Sequence, residues 1–131
     1  MSLLTRSDLL KPAARRYRMV QMPTGGQVRI QSLTAGEARA LRQSLMNKKG
    51  ELIKARGDRL QELLICHCVV DESGQRIFSE DDAMSSDFDG LDQANAAVLY
   101  QACRNFSGFG ADADFAAIED AIKNSDSTQE S

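Results

Sequence analysis

The chain has 131 residues, 42% hydrophobic and 27% charged, which is ordinary for a folded protein and excludes a wholly disordered or fibrous chain. This length fits one domain with its own core. The longest apolar run lies within 63–70 and is interrupted by His67, whereas a bilayer span needs roughly 18 apolar residues, so we expect no transmembrane segment and no membrane partner.

The net charge of −3 conceals a strong asymmetry along the chain. Residues 1–60 contain 13 Lys and Arg against 4 Asp and Glu, a balance of +9, and residues 61–131 contain 3 against 15, a balance of −12. This pattern predicts either a basic patch for an acidic partner or two surfaces that attract each other between copies.

The N-terminal segment, residues 1–14, lacks the apolar core of a secretory signal, so we expect the protein in the cytosol with its three cysteines reduced. Pro12 limits any helix there to a single turn, because the residue before a proline disfavours the helical region. We therefore predict that residues 1–14 are loosely ordered.

A β-hairpin is predicted next. Side chains alternate between two faces from Arg15 to Met22 and again from Gln27 to Leu33. The intervening Pro23–Gly26 combines a fixed φ with glycines that accept positive φ, which is typical of a turn.

Five helices are predicted after the hairpin. The first begins at a capping box formed by Thr34 and Glu37 and ends near Lys48. Apolar spacing and caps place the others at about 51–67, 80–86, 91–106 and 112–123. A turn at 71–74 predicts a short second hairpin over 68–78. The predicted fold is mainly α, of the α+β type, with one domain over 15–123 and a disordered tail at 124–131, which has no apolar residue.

Cys66, His67, Cys68 and the distant Cys103 have the right chemistry for a zinc site, but their spacing is wrong. Zinc ligands usually come in pairs two to four residues apart, whereas three consecutive side chains diverge. Neighbouring Cys66 and His67 also converge poorly as a nucleophile and base. We predict small buried thiols and a histidine packed at a helix end.

No other motif predicts catalysis, a metal or a cofactor. The stretch Asp87–Gly90 resembles part of a calcium loop but places Ala96 where a bidentate glutamate belongs. The carboxylates at 80–82 suit the start of a helix. Gly25 and Gly26 lack the rest of a phosphate-binding motif. We therefore predict a protein that is not an enzyme.

Basic residues of the hairpin are the best candidates for binding a partner. Three guanidiniums and a tyrosine occur in Arg15–Arg18, and Arg29 lies on the second strand. These could contact nucleic acid through phosphates and stacking, but the acidic second half would repel a polyanion. We predict that Arg15, Arg16, Arg18 and Arg29 bind protein, and keep a small regulatory or nucleic-acid-binding module as the alternative.

Three passages carry a family resemblance: the strand and helix start at 28–37, the turn at 68–78 and the sequence Asn105–Gly108. They resemble the tail assembly chaperones of long-tailed, siphovirus-type bacteriophages and prophages. The resemblance spans about 28–108, which is most of the chain. It depends on packing and turn residues, and it does not extend to the Cys66–Cys68 run or to the loop at Phe109.

The resemblance implies a chaperone that binds the tape measure protein, keeps its long hydrophobic helices soluble and helps to recruit tail tube subunits. It also implies action in the cytoplasm of the bacterial host, absence from the mature virion, and a possible longer form made by translational frameshifting. The charge asymmetry adds self-association as a hypothesis, because a contact between unlike surfaces can repeat along a filamentous client.

Overall fold

The computed structural model describes residues 3–11 and 15–129, with side chains described up to 124. Seven α-helices and three strands occur in this part of the chain. In order they are α1 (Arg6–Leu10), β1 (Tyr17–Gln21), β2 (Gln27–Gln31), α2 (Ala35–Ser44), α3 (Lys54–Gly57), α4 (Leu60–Cys68), β3 (Val69–Val70), α5 (Glu80–Met84), α6 (Gln93–Phe106) and α7 (Ala113–Gln129). Two 3₁₀ helices cover Ser86–Gly90 and Phe109–Ala111.

The predicted class, mainly α with an N-terminal hairpin, is confirmed. The strands form one antiparallel sheet in the order β1-β2-β3. In the hairpin, Met19 lies opposite Arg29, and the Met22 N–H donates to the Gly26 carbonyl at 2.9 Å to close the turn. This turn forms where proline and glycine predict it.

The second hairpin is present as a tight turn with one bridge between Val70 and Arg76. The Asp71 carboxylate accepts from the backbone N–H groups of Ser73 and Gln75, and Gly74 takes a φ of +86°. The prediction missed that β3 also pairs with β2. That pairing joins segments far apart in sequence, so no local signal announces it.

The first predicted helix is four residues too long. Helix α2 ends at Ser44, and a small loop closed by a bridge between Met46 and Leu52 follows. The Asn47 side chain accepts from the N–H groups of Lys49 and Glu51, at 2.9 and 3.0 Å. These local bonds compete with the helix, as asparagine side chains commonly do.

The predicted helix over 51–67 is wrong as a single element. It is two helices, α3 and α4, separated by Asp58 and Arg59. Gly57, where α3 ends, is buried, and a Cβ there would lie 3.2 Å from Ile122 and 3.3 Å from Leu52. Glycine disfavours helix interiors, and its lack of a side chain lets α7 approach closely here.

The later helices match their predicted positions with shifted ends. Ser79 caps α5 in a capping box with Asp82, and Asp92 caps α6. Helix α7 reaches Gln129, beyond the predicted end at 123, so the backbone of 124–129 is helical where a disordered tail was predicted. No proline or glycine interrupts this polar stretch, so a nucleated helix can extend through it. Residues 130 and 131 lie outside the described part.

Helix α4 lies at the centre of the core. Six of its nine residues are buried, and it packs against α5 and α6. A helix buried on most sides is expected to be apolar all round, which accounts for the apolar run in the sequence. The other fully buried large side chains are Ile30, Leu41, Leu45, Val69, Phe109 and Phe115.

Helix α1 contributes nothing to this core. Thr5 and Asp8 form a capping box, and every residue of the helix is exposed. Leu9 and Leu10 are 64% and 62% exposed. The single helical turn allowed by Pro12 is therefore present. The loose order of 1–14 stays a prediction, since residues 1, 2 and 12–14 lie outside the described part.

Candidate interaction surface

The four predicted binding arginines do not form a single patch. Paired residues of an antiparallel sheet share a face, so Arg18, opposite the buried Ile30, belongs to the inner face and Arg29, opposite Met19, belongs to the outer face. The structure thus separates residues that the sequence placed together.

Two of these arginines make intramolecular contacts at the start of the hairpin. Arg15 forms an ion pair with Glu37 at 2.7 Å. Arg16 donates to the Phe106 carbonyl at 2.8 Å, and its guanidinium lies 4.5 Å from the centre of the Phe106 ring. These contacts fasten the hairpin to α2 and α6.

The other two differ sharply in their surroundings. Arg29 lies 4.2 Å above the Tyr17 ring and donates to the Glu72 carbonyl at 2.7 Å, which holds the second turn against the sheet. Arg18 is exposed, and its guanidinium makes no hydrogen bond or ion pair within the described residues. Among the four, Arg18 has the guanidinium most available to a partner.

Basic residues of the first half form ion pairs with acidic residues of the second half within the same molecule. Among the side chains that the structure describes, three ion pairs join the basic first half to the acidic second half, at 2.8 to 3.4 Å: Arg42–Asp112, Arg56–Glu80 and Arg59–Asp89. The charge asymmetry of the sequence predicted attraction to an acidic partner or between copies. The fold brings the two halves together, so attraction within one chain is a third explanation.

Exposed apolar side chains lie on the outer face of the sheet and in the turn segment beside it. Tyr17, Met19 and Ile77 are 43%, 53% and 52% exposed. Beside them is a groove of about 580 Å³, whose lining includes Met19, Val28, Val70, Glu72 and Ile77. Exposed apolar side chains grouped on one face are typical of protein-binding surfaces. The alternation of β1 predicted a shared face for Tyr17 and Met19. No pattern in the neighbouring sequence predicted that Ile77 would lie close to them.

Strand β1 is also an open edge of the sheet. Hydrogen bonds join Ser32 N–H to the Arg16 carbonyl and Met22 N–H to the Gly26 carbonyl. Since bonded and non-bonded residues alternate along an antiparallel strand, the backbone groups of Tyr17, Met19 and Gln21 point away from β2. Nothing in the described part of the chain bonds to them. Such an edge can accept another strand.

Comparison with protein-family models, curated proteins and solved structures gave no match. Within the described residues, no helix combines the length and apolarity needed to cross a membrane. The candidate surface is therefore defined by its geometry alone: an apolar outer face next to an unpaired strand edge.

The three cysteines are buried and free, as predicted for small buried thiols. Burial raises the pKa of the Cys66 thiol to about 12. Cys68 and Cys103 share a hydrogen bond, which raises the pKa of Cys103, and Cys68 also contacts the Ser107 hydroxyl at 3.7 Å. The described residues contain no cluster of three or more His, Cys, Asp or Glu side chains placed to hold a metal ion.

His67 packs at the end of α4, as predicted, and is largely buried. Its Nε2 lies 3.5 Å from the Glu80 carboxylate, without hydrogen-bond geometry, and neither ring nitrogen has a partner among the described groups. Burial and the positive charge of Arg76 lower the pKa of His67, against the opposing effect of Glu80 and Glu37. Burial acts to raise the pKa of Glu80, but the hydrogen bond from Arg56 and the charge of His67 lower it more.

These shifts predict that the protein loses stability as the pH falls below the ordinary histidine value of 6.5. The unfolded chain binds a proton at His67 more readily than the folded chain does, so the contribution of neutral His67 is present above about pH 6.5 and is lost below it. We expect the H67L variant to show little pH dependence of unfolding free energy between about pH 6.5 and 5. Urea unfolding at several pH values measures this. If the unfolding free energies of the wild type and H67L changed with pH in the same way, His67 would not be the group that causes the pH dependence.

Proposed function

We propose that this protein is a non-enzymatic tail assembly chaperone of a long-tailed bacteriophage or prophage. It binds the tape measure protein, keeps that protein soluble in the host cytoplasm, helps to recruit tail tube subunits and is absent from the mature virion. The resemblance over residues 28–108 suggested this function. The observation that carries it is the exposed apolar outer face of the sheet.

A chaperone for long apolar helices needs apolar side chains that are accessible but too few to drive aggregation. The outer face and the groove beside it meet this need, because Tyr17, Met19 and Ile77 remain exposed there. Burying one such side chain is worth roughly 1.5–3 kcal/mol. A helix laid along the groove would therefore gain useful affinity from a few contacts.

The alternative, a nucleic-acid-binding module, finds less support in the arrangement of the arginines. Phosphate binding depends on several cations on one surface. Here Arg15, Arg16 and Arg29 are held by contacts within the chain, and Arg29 faces away from Arg18.

Co-expression with the tape measure protein of a long-tailed bacteriophage tests the proposal. We expect the wild-type protein to raise the fraction of tape measure protein that stays in the supernatant and to co-purify with it. The I77S variant should weaken the complex about tenfold, because it removes most of a side chain that the complex would bury. Ile77 is exposed in the free protein, so its loss should leave folding intact.

V98S is the matched control. Val98 is also exposed, at 37%, but lies on α6. It should bind tape measure protein like the wild type. If I77S and V98S lost tape measure binding equally, the binding site would not be the surface beside the sheet. A wild-type protein that neither solubilises nor co-purifies with the tape measure protein would refute the function.

A further inference from the structure

We propose that two copies of this chain pair through their β1 strands, antiparallel and around a two-fold axis, with Met19 opposite Met19 of the second copy. The starting observation is the open edge of β1, where the N–H and carbonyl groups of three alternate residues have no partner in the described part of the chain. This inference goes beyond the proposed function and does not depend on it.

The direction of these backbone groups restricts the register. Only Tyr17, Met19 and Gln21 point outward, so each must face another of the three. With Met19 at the axis, Tyr17 of each copy faces Gln21 of the other. All three positions then form hydrogen-bonded pairs, each exchanging two N–H···O bonds.

Neighbouring registers are less favourable for identifiable reasons. Moving the axis to residue 18 places Arg18 directly opposite its own copy, and like charges in that position are destabilising. Moving it to residue 20 places Tyr17 opposite Pro23, which has no N–H to donate. The register centred on Met19 avoids both problems.

Charge complementarity favours a second copy as the occupant. The start of β1 is basic because Arg16 and Arg18 have no ion-pair partner among the described residues, whereas Arg15 is paired with Glu37. The turn that follows its other end is tied to the start of α6, because the Asn95 side chain bonds to the backbone and hydroxyl of Thr24 at 3.3 and 2.8 Å.

That second end is acidic. Asp92 caps α6 and Asp87 lies just before it in the chain, whereas Asp89 is already paired with Arg59. In an antiparallel pair, the basic end of each strand meets the acidic end of its neighbour. Opposite charges thus approach at both ends of the interface, as complementary surfaces do.

The paired sheet would have six strands. Tyr17 and Met19 of both copies would lie on one continuous outer face, since residues facing each other across a strand pair share a side. Pairing also protects the edge, which contains no proline or glycine to block another strand.

The first test uses backbone hydrogen bonding. M19P removes the N–H at the axis from both copies and leaves the bonds between β1 and β2 intact, because the Met19 N–H points outward. M19A removes the side chain but keeps the N–H. By sedimentation over a range of concentrations, we expect a wild-type dimer, a loss of affinity of about tenfold or more for M19P, and a smaller loss for M19A. A monomeric wild type, or equal affinities for M19P and M19A, would overturn the proposal.

The second test uses cysteine cross-linking and does not depend on how well M19P folds. Facing residues in a hydrogen-bonded pair have Cα atoms about 5.5 Å apart, within reach of a disulfide, whereas Arg18 and its copy would be separated by roughly 8 Å. With oxidised glutathione, two thiols become a disulfide as the glutathione is reduced. We expect M19C to form a covalent dimer, while R18C and the wild type, whose own cysteines are buried, do not.

A covalent dimer of R18C in place of M19C would overturn the register. Absence of any cross-link in M19C would overturn the pairing. Neither result bears on tape measure binding, which is tested at Ile77, a residue away from the β1 edge.

Discussion

Replacing Phe115 with alanine is expected to lower the free energy of unfolding by about 3–5 kcal/mol, the usual cost of removing a buried phenylalanine. Phe115 is fully buried, and its ring stacks on Phe109 with centres 4.2 Å apart. This stack joins α7 to the 3₁₀ helix that follows α6. The cavity left by alanine would weaken the attachment of α7 to the rest of the core.

The control for this prediction is F115L, which retains most of the side-chain volume and should cost only about 1–1.5 kcal/mol. Urea unfolding followed by far-UV circular dichroism measures both variants, since the chain has no tryptophan to report by fluorescence. A cost below about 1 kcal/mol for F115A would mean that α7 contributes little to the cooperative fold.

The second large effect is expected for I30A, which should lower the free energy of unfolding by about 2–5 kcal/mol. Ile30 is fully buried on the central strand, between Arg18 of β1 and Val69 of β3. Its side chain holds the sheet against the helices. Because the outer face exists only while the sheet is packed from the inner side, I30A should also reduce tape measure binding and pairing between copies.

The control is Q27A, which shortens an exposed side chain on the same strand and so tests whether the effect of I30A comes from lost core packing. Gln27 is exposed, and surface substitutions usually change stability by less than about 0.5 kcal/mol. Unfolding in urea should therefore distinguish the two variants clearly. If Q27A were as destabilising as I30A, the sheet would depend on backbone order more than on its buried side chains.

Local signals explain which elements could be predicted. The turn at Pro23–Gly26, the capping boxes at Thr34 and Ser79 and the stripe of α6 all depend on residues within a few positions of one another. Hydrogen bonds of this kind form between neighbours in sequence, so the residues themselves specify them.

The candidate surface was only partly predictable. Alternation along β1 separates Tyr17 and Met19 from Val20, which is buried. Ile77 reaches the groove beside Met19 only because the turn at 71–74 folds back on β3. The four arginines appeared to form one basic group in the sequence, but the sheet directs Arg18 and Arg29 to opposite faces.

Caps, turns and apolar periodicity act over a few residues, so the sequence was enough to predict the class of fold, the hairpin and most of the helix starts. The pairing of β3 with β2, the break between α3 and α4 after Gly57, and the ion pairs between the basic and acidic halves became apparent only in the folded chain. Those features depend on contacts between segments distant in the chain, and such contacts form only once packing has brought the segments together.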